Sequence, residues 1–246
     1  MSGHRFFTPF QRTDQKVILK DADEFKHLTK VLRLKKGDDV ELINGQGGLA
    51  RGIIEEIKKD SVVIGLHEVS FIPQRAGVVI TLACAIPKRA KFETIIEKCT
   101  ELGVDRIIPL ITERTEFLLE GERADKRTER FRRVAVNAAK QCKRSWFPDI
   151  TAPVLFKQAI EALSGQDVAF FIPWLEGERF PLSQALAQRS QMKGFVFFIG
   201  PEGDFTPEEV QLALKAGALP VSLGENVLKV DTAAMAVVAF ARMKSL

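Results

Sequence analysis

The chain has 246 residues, of which 46% are hydrophobic and 28% charged, a globular composition. No apolar run reaches the roughly eighteen residues needed to span a bilayer, and Met1–Phe7 lacks the charged start and apolar core of a secretory signal. A cytoplasmic protein without membrane association is therefore expected, and three scattered cysteines with only three histidines exclude a disulfide framework and a metal site.

Up to about Phe71 the sequence reads as short strands divided by turns. Val17–Leu19, Val40–Ile43, Ala50–Ile57 and Val62–Val69 are rich in β-branched residues and partly alternate, with turn signals at Gly37-Asp38, Asn44-Gly45, Gly47-Gly48 and Lys59-Asp60. One helix is expected over roughly Ala22–Leu32. This spacing predicts a small β-barrel over residues 1–72, followed by a linker, 73–77.

From Val78 to the end (78–246) the grammar changes. Val78–Ile86, Val104–Ile111, Val168–Trp174, Phe195–Ile199 and Pro220–Leu223 are continuous apolar runs suited to strands buried on both faces. Helical patterns lie between most of them. Phe92, Ile95, Ile96, Cys99 and Leu102 mark one face, closed by Gly103. Thr206-Pro207-Glu208-Glu209 is a capping box with proline at the first helical position, and that helix ends near Gly217. Alternating strands and helices predict an α/β domain with a mostly parallel sheet. The last segment, Thr232–Met243, is apolar nearly all round, which fits either a core helix or one covered by a second subunit.

Between Arg123 and Arg144 nine Lys/Arg stand against Asp125 and Glu129. On a helix over about Asp125–Lys143, Phe131, Val134, Ala135, Ala138 and Cys142 form an apolar stripe. Arg130, Arg133, Asn137 and Gln141 share another face. That face reads either as solvated surface or as a phosphate-binding footprint.

The strand ends carry the chemistry. Gly200-Pro201-Glu202-Gly203-Asp204-Phe205 runs from a buried strand into the capped helix, and its glycines admit a ligand close to the backbone. Ser222–Thr232 follows the next strand, and Ile172-Pro173-Trp174 ends the one before. In open α/β sheets such loops at the carboxyl ends wall one pocket. No phosphate-binding loop of the G-x-x-x-x-G-K-[ST] kind occurs. The letters Gly45-x-Gly47-x-x-Ala50 match a dinucleotide fingerprint but sit in a hairpin, where they read as a turn.

At these loops the chain resembles the RsmE family of SPOUT methyltransferases. Gly200-Pro-Glu-Gly203 with Phe205 is similar to the family's GPEGG-F/L segment. Leu223-Gly224-x-x-Val227-Leu228-Lys229-x-Asp231-Thr232-Ala233 is similar to its LG-x-x-[IV]-L-R-x-E-T-A segment. Lys98-x-x-Glu101-Leu-Gly-Val104, Glu113-Arg114, Gln141-Cys-x-Arg144 and His27-x-x-x-Val31-Leu32-Arg33 with Gly37 are similar to four more of its motifs, in the same order.

The resemblance implies a PUA-like RNA-binding barrel followed by a SPOUT domain with a trefoil knot, working as a homodimer on ribosomal RNA of the small subunit. It implies S-adenosyl-L-methionine as cofactor and N3 of a decoding-region uridine as methyl acceptor. Cofactor contact is then expected of Ile172, Pro173, Gly200, Pro201, Glu202, Gly203, Leu223, Gly224, Val227, Leu228 and Lys229. RNA contact is expected of Arg5, His27, Arg33, Arg114, Arg130, Arg133, Gln141 and Arg144. Lys229, with Arg144 of the partner subunit, would stabilise the charge developing on the base. The sequence departs from the family pattern at Lys229 (arginine), Val230 (threonine), Asp231 (glutamate), Asp204 (the second glycine) and Lys140 (glutamate). An inactive RNA-binding or ribosome-assembly factor of the same fold, and a small-molecule α/β enzyme, are the alternatives.

Overall fold

Alternation in the first region produces a five-stranded sheet in the order β1-β3-β4-β5-β2. The structure, a computed structural model, describes residues 4–74, 77–87, 91–115 and 121–245. The strands are β1 (Arg5–Phe7), β2 (Lys16–Leu19), β3 (Asp39–Ile43), β4 (Gly48–Ile57) and β5 (Val62–Phe71). β3, β4, β5 and β2 pair antiparallel, and β1 adds parallel to β3. Every second residue of β4 from Gly48 to Ile54 is buried, as a half-buried strand requires. Phe6, Phe10, Leu19, Leu28, Leu42, Ile54 and Ile64 meet in one core.

Helix α1 (Ala22–Lys26) is capped by Asp21, whose Oδ1 accepts from the amides of Asp23 and Glu24 at 3.0 and 2.9 Å. The expected α-helix to Leu32 does not continue in that form. His27–Val31 widens into a π-helical turn, with the Leu32 amide donating to His27 O at 2.9 Å.

The chain divides into two compact units, and the first takes Ala139–Phe147 as well as residues up to Arg75. The sequence groups that segment with the second region. In the structure Phe147 lies 5.2 Å from Phe7 between ring centroids, Trp146 Nε1 donates to Ile72 O at 2.9 Å, and Lys140 forms an ion pair with the buried Glu24. Gly45 and Gly47 have positive φ, and a Cβ on them would come within 2.5 Å of the Phe147 ring and 2.7 Å of Trp146. The glycine pattern of that hairpin thus serves a turn and the close approach of two aromatic rings.

In the second unit the described strands form one parallel sheet in the order β11-β13-β10-β12-β6-β7-β8, with β9 also on β7. They are β6 (Val79–Ala85), β7 (Arg106–Ile111), β8 (Asp149–Ile150), β9 (Val154–Leu155), β10 (Val168–Pro173), β11 (Phe180–Pro181), β12 (Gly194–Ile199) and β13 (Leu219–Ser222). β12 is buried throughout because both of its faces are covered. Phe195, Phe197 and Ile199 face a core shared with α2 (Lys91–Glu101), α3 (Glu122–Gln141), α5 (Leu182–Gln188) and α7 (Val230–Lys244). Val196 and Phe198 face the opposite core, with α4 (Phe156–Leu163) and α6 (Pro207–Lys215). Period-two side chains under helices on both sides explain the unbroken apolar runs in the sequence.

The last helix buries Val230, Ala233, Ala234, Val237, Val238 and Ala241 against its own domain. Its other face, Thr232, Met235, Ala236, Ala239, Phe240 and Met243, is partly or fully exposed and carries a single hydroxyl. Ile72–Gly77 includes Arg75 and Ala76, which lie outside the described residues.

Candidate active site

The strand order places β10 between β12 and β13, so three chain segments that are distant in sequence end side by side. Each ending is fixed by local chemistry. After β12, Phe205 is driven into the core against Phe156, 4.8 Å between ring centroids, and Thr206 caps α6 through a reciprocal pair with Glu209. The loop between them, Gly200–Asp204, is held from the turn after β7 by the Arg114 guanidinium, which donates to Gly203 O. After β13, the Ser222 hydroxyl turns the chain by bonding to the amide and carbonyl of Gly224 at 3.3 and 3.1 Å, with Gly224 at φ +125°. After β10, Arg179 Nη1 donates to Trp174 O at 3.0 Å and closes the Trp174–Arg179 loop.

These endings wall a cavity of about 370 Å³, within the range of small-ligand sites. Its apolar wall includes Pro173, Trp174, Ile199, Leu223, Val227 and Leu228, and its charged groups are Arg179, Glu202, Asp204, Lys229 and Asp231. Of the residues expected to touch a cofactor, Pro173, Gly200, Pro201, Glu202, Leu223, Gly224, Val227, Leu228 and Lys229 all lie on this wall. Two do not. Ile172 is fully buried in the core on the α4–α6 face, and Gly203 faces Arg114, its Cβ position 3.3 Å from Arg114 Cδ.

Asn226 lines the cavity from within the expected Ser222–Thr232 loop, and Pro87 and Arg179 also line it but were missed. Nothing local marks them, since the register of neighbouring strands decides which loop residues face inward. Burial pushes the Asp204 carboxyl above its ordinary range, opposed by the Phe205 amide and by Arg114. Burial likewise pushes Cys99 up to about 12 and Cys84 well above the usual thiol value, so neither is a ready nucleophile. Among the described residues no cluster of His, Cys, Asp or Glu could hold a metal ion, and no helix is long and apolar enough to cross a membrane.

The expected RNA-contacting residues fall into two groups. His27 and Arg33 are exposed on the first unit, which also holds Gln141 and Arg144. Arg5 belongs to that unit but is drawn into the sheet, its side chain 12% exposed and 3.2 Å from Glu41. On the second unit Arg130 binds Glu93 through two nitrogens, at 2.7 and 3.0 Å, Arg133 is exposed, and Arg114 holds the glycine loop.

The glycine-containing endings of a parallel sheet thus surround one cavity, and a small sheet unit precedes that sheet in the chain. Residues 74–242 match the RNA methyltransferase domain family, and residues 19–66 match its PUA domain. Ribosomal RNA small subunit methyltransferase E from Synechocystis sp. is 35% identical over 92% of this chain and 72% of its own length. The Bacillus subtilis protein of that name is 27% identical over 86% and 84%.

Among solved structures, that of ribosomal RNA small subunit methyltransferase E from Neisseria gonorrhoeae, bound to S-adenosyl methionine, superimposes with a TM-score of 0.88 at 27% identity, covering 98% of both chains. A Legionella pneumophila chain solved with the same cofactor gives 0.86 at 28% identity, over 99% and 98%. The chain belongs to the ribosomal RNA small subunit methyltransferase E family.

Proposed function

We propose that this protein transfers a methyl group from S-adenosyl-L-methionine to N3 of a uridine in the decoding region of small-subunit ribosomal RNA. The cavity at the ends of β10, β12 and β13 carries this reading. Its residues fit the cofactor: Pro173, Ile199, Leu223, Val227 and Leu228 offer apolar surface to an adenosine. Arg179 and Lys229, with Glu202, Asp204 and Asp231, offer charges of both signs to a ligand that is itself carboxylate, ammonium and sulfonium. When bound, the sulfonium supplies an electrophilic methyl carbon.

The chain's own residues supply position and electrostatics. The backbone of Gly200–Glu202 and Leu223–Leu228 holds the cofactor. Lys229, exposed on the wall just before α7, stabilises the negative charge left on the uracil as its N3 proton departs. Arg144 of the partner subunit is proposed as the second cation. The unsatisfied outer face of α7 supports a homodimer, since Met235, Ala236, Ala239, Phe240 and Met243 form an apolar stripe. RNA contact is assigned to His27, Arg33, Gln141 and Arg144 on the PUA unit and to Arg133 on the second unit. The crossing of β10 by the connection from β12 to β13 is consistent with the trefoil knot, and the reading carries a cytoplasmic location with it.

The test is transfer of labelled methyl from S-adenosylmethionine to small ribosomal subunits that lack the modification, followed by nucleoside analysis. Label in 3-methyluridine is expected. Label in any other nucleoside refutes the acceptor. Cofactor binding without transfer refutes catalysis and favours a ribosome-assembly factor of the same fold.

A further inference from the structure

Three carboxylates stand on the cavity wall, and one differs from the others. Glu202 is exposed, and Asp231 Oδ1 accepts from the Thr232 amide at 3.0 Å at the start of α7. Asp204 is half-buried with φ +61°, a backbone region that costs any side chain energy and that Asp tolerates better than most. Its Oδ1 accepts from the Phe205 amide at 2.8 Å and stands 3.1 Å from where a Cβ on Gly200 would lie. The absence of a side chain at Gly200 is what admits the carboxylate. Its second oxygen has no hydrogen-bond donor among the described residues. Burial raises its pKa, Phe205 and Arg114 lower it, and Glu176 raises it again. Arg179, Glu202, Lys229 and Asp231 are the other charged groups on the same wall. A partly desolvated carboxylate on strained backbone is a cost to the empty protein that an arriving cation would offset.

We infer that Asp204 is a cofactor-selecting residue, its carboxylate facing the sulfonium of bound S-adenosylmethionine and favouring the methyl donor over its neutral thioether product. The inference rests on the proposed function and adds a selection step to it. Donor and product share adenosine, ammonium and carboxylate, so the sulfonium charge is the handle by which a side chain can tell them apart. Transfer removes that charge, weakens the product's hold and frees the site for the next donor.

The test is calorimetric binding of S-adenosylmethionine and of S-adenosylhomocysteine to the full chain, as wild type, Asp204→Asn and Asp204→Gly. Asn keeps an acceptor for the Phe205 amide, and Gly relieves the backbone, so an effect common to both is due to the charge. Affinity for the donor is expected to fall roughly tenfold in both variants, with affinity for the product unchanged. In the wild type the preference for donor should weaken as pH falls through the titration of Asp204. An equal loss for both ligands, or no loss, overturns the selection role while leaving the proposed function standing. A wild-type chain that binds neither ligand overturns both.

Discussion

Arg242 Nη2 stands 2.6 Å from Asp105 Oδ2, and the same guanidinium donates to the carbonyl oxygen of Gly103. One side chain near the end of α7 thereby holds the turn between α2 and β7, where Gly103 adopts φ +96°. The pair is largely shielded, with side-chain exposures of 13% and 26%. Arg242→Met should therefore cost about 3 kcal/mol in urea unfolding, because the shielded Asp105 carboxylate and the Gly103 carbonyl both lose the guanidinium. Arg242→Lys should recover only part, since an ammonium cannot fork between carboxylate and carbonyl. A loss under about 0.5 kcal/mol would class the pair with ordinary surface ion pairs.

Crowding at the glycine loop makes a second prediction. A Cβ on Gly200 would lie 3.1 Å from both Asp204 Oδ1 and Phe205 Cδ2. Phe205 is fixed in the core, so the loop must move instead. Gly200→Ala is expected to weaken S-adenosylmethionine binding by roughly tenfold or more, through misplacement alone. Far-ultraviolet circular dichroism should stay native. Gly203→Val should do the same from the other side by pushing Arg114 off the Gly203 carbonyl. Normal binding in both variants would remove the loop from the cofactor site.

The raised pKa of Asp204 has a signed consequence for stability. A carboxyl whose pKa is higher folded than unfolded binds its proton more tightly when folded. Its stabilising contribution is complete below the unfolded value and is lost as pH rises through the folded one. At neutral pH, without cofactor, Asp204→Asn should unfold at a higher temperature than wild type. That advantage should shrink as pH falls below the ordinary carboxylate range. An advantage independent of pH would assign the gain to backbone preference instead.

Charge pairing separates the arginines expected to bind RNA. Arg33 is exposed at φ +56°, whereas Arg130 is already engaged by Glu93. In RNA binding measured against salt, Arg33→Gln should lower the slope of log affinity by about one. Arg130→Gln should change it less, because Glu93 already offsets that charge. The reverse order would show that the Arg130–Glu93 pair opens on RNA.

Much of this arrangement is written locally. β6, β7, β10, β12 and β13 lie within two residues of their apolar runs, and Thr206, Gly103 and Gly217 mark helix ends as their chemistry demands. Two loops of the cavity were legible because glycines follow buried strands at Gly200 and Gly224, and the third because Ile172-Pro173-Trp174 ends an apolar run. What was not legible depends on partners far away in sequence. β8, β9 and β11 have two residues each and exist only because a neighbouring strand offers a free edge. β1 is three residues long, and its parallel partner β3 begins at Asp39. Arg114 is expected from the resemblance to contact RNA, and only the fold brings the Gly203 carbonyl to it, while Arg179 faces the cavity only because its loop closes on Trp174.

The first unit is assembled from two stretches of chain, and this fixes when it can be finished. Trp146 and Phe147 occupy the space above Gly47 and Gly45, and Lys140 neutralises the buried Glu24. During synthesis the strands β1 to β5 emerge long before these three residues. Until then the sheet must wait with an unneutralised acid and two uncovered glycines, while β6, β7 and most of α3 are being made. A fragment ending at Arg75 is on this account an unfinished intermediate, and the ribosome must deliver two of the second unit's eight described strands before the first can close.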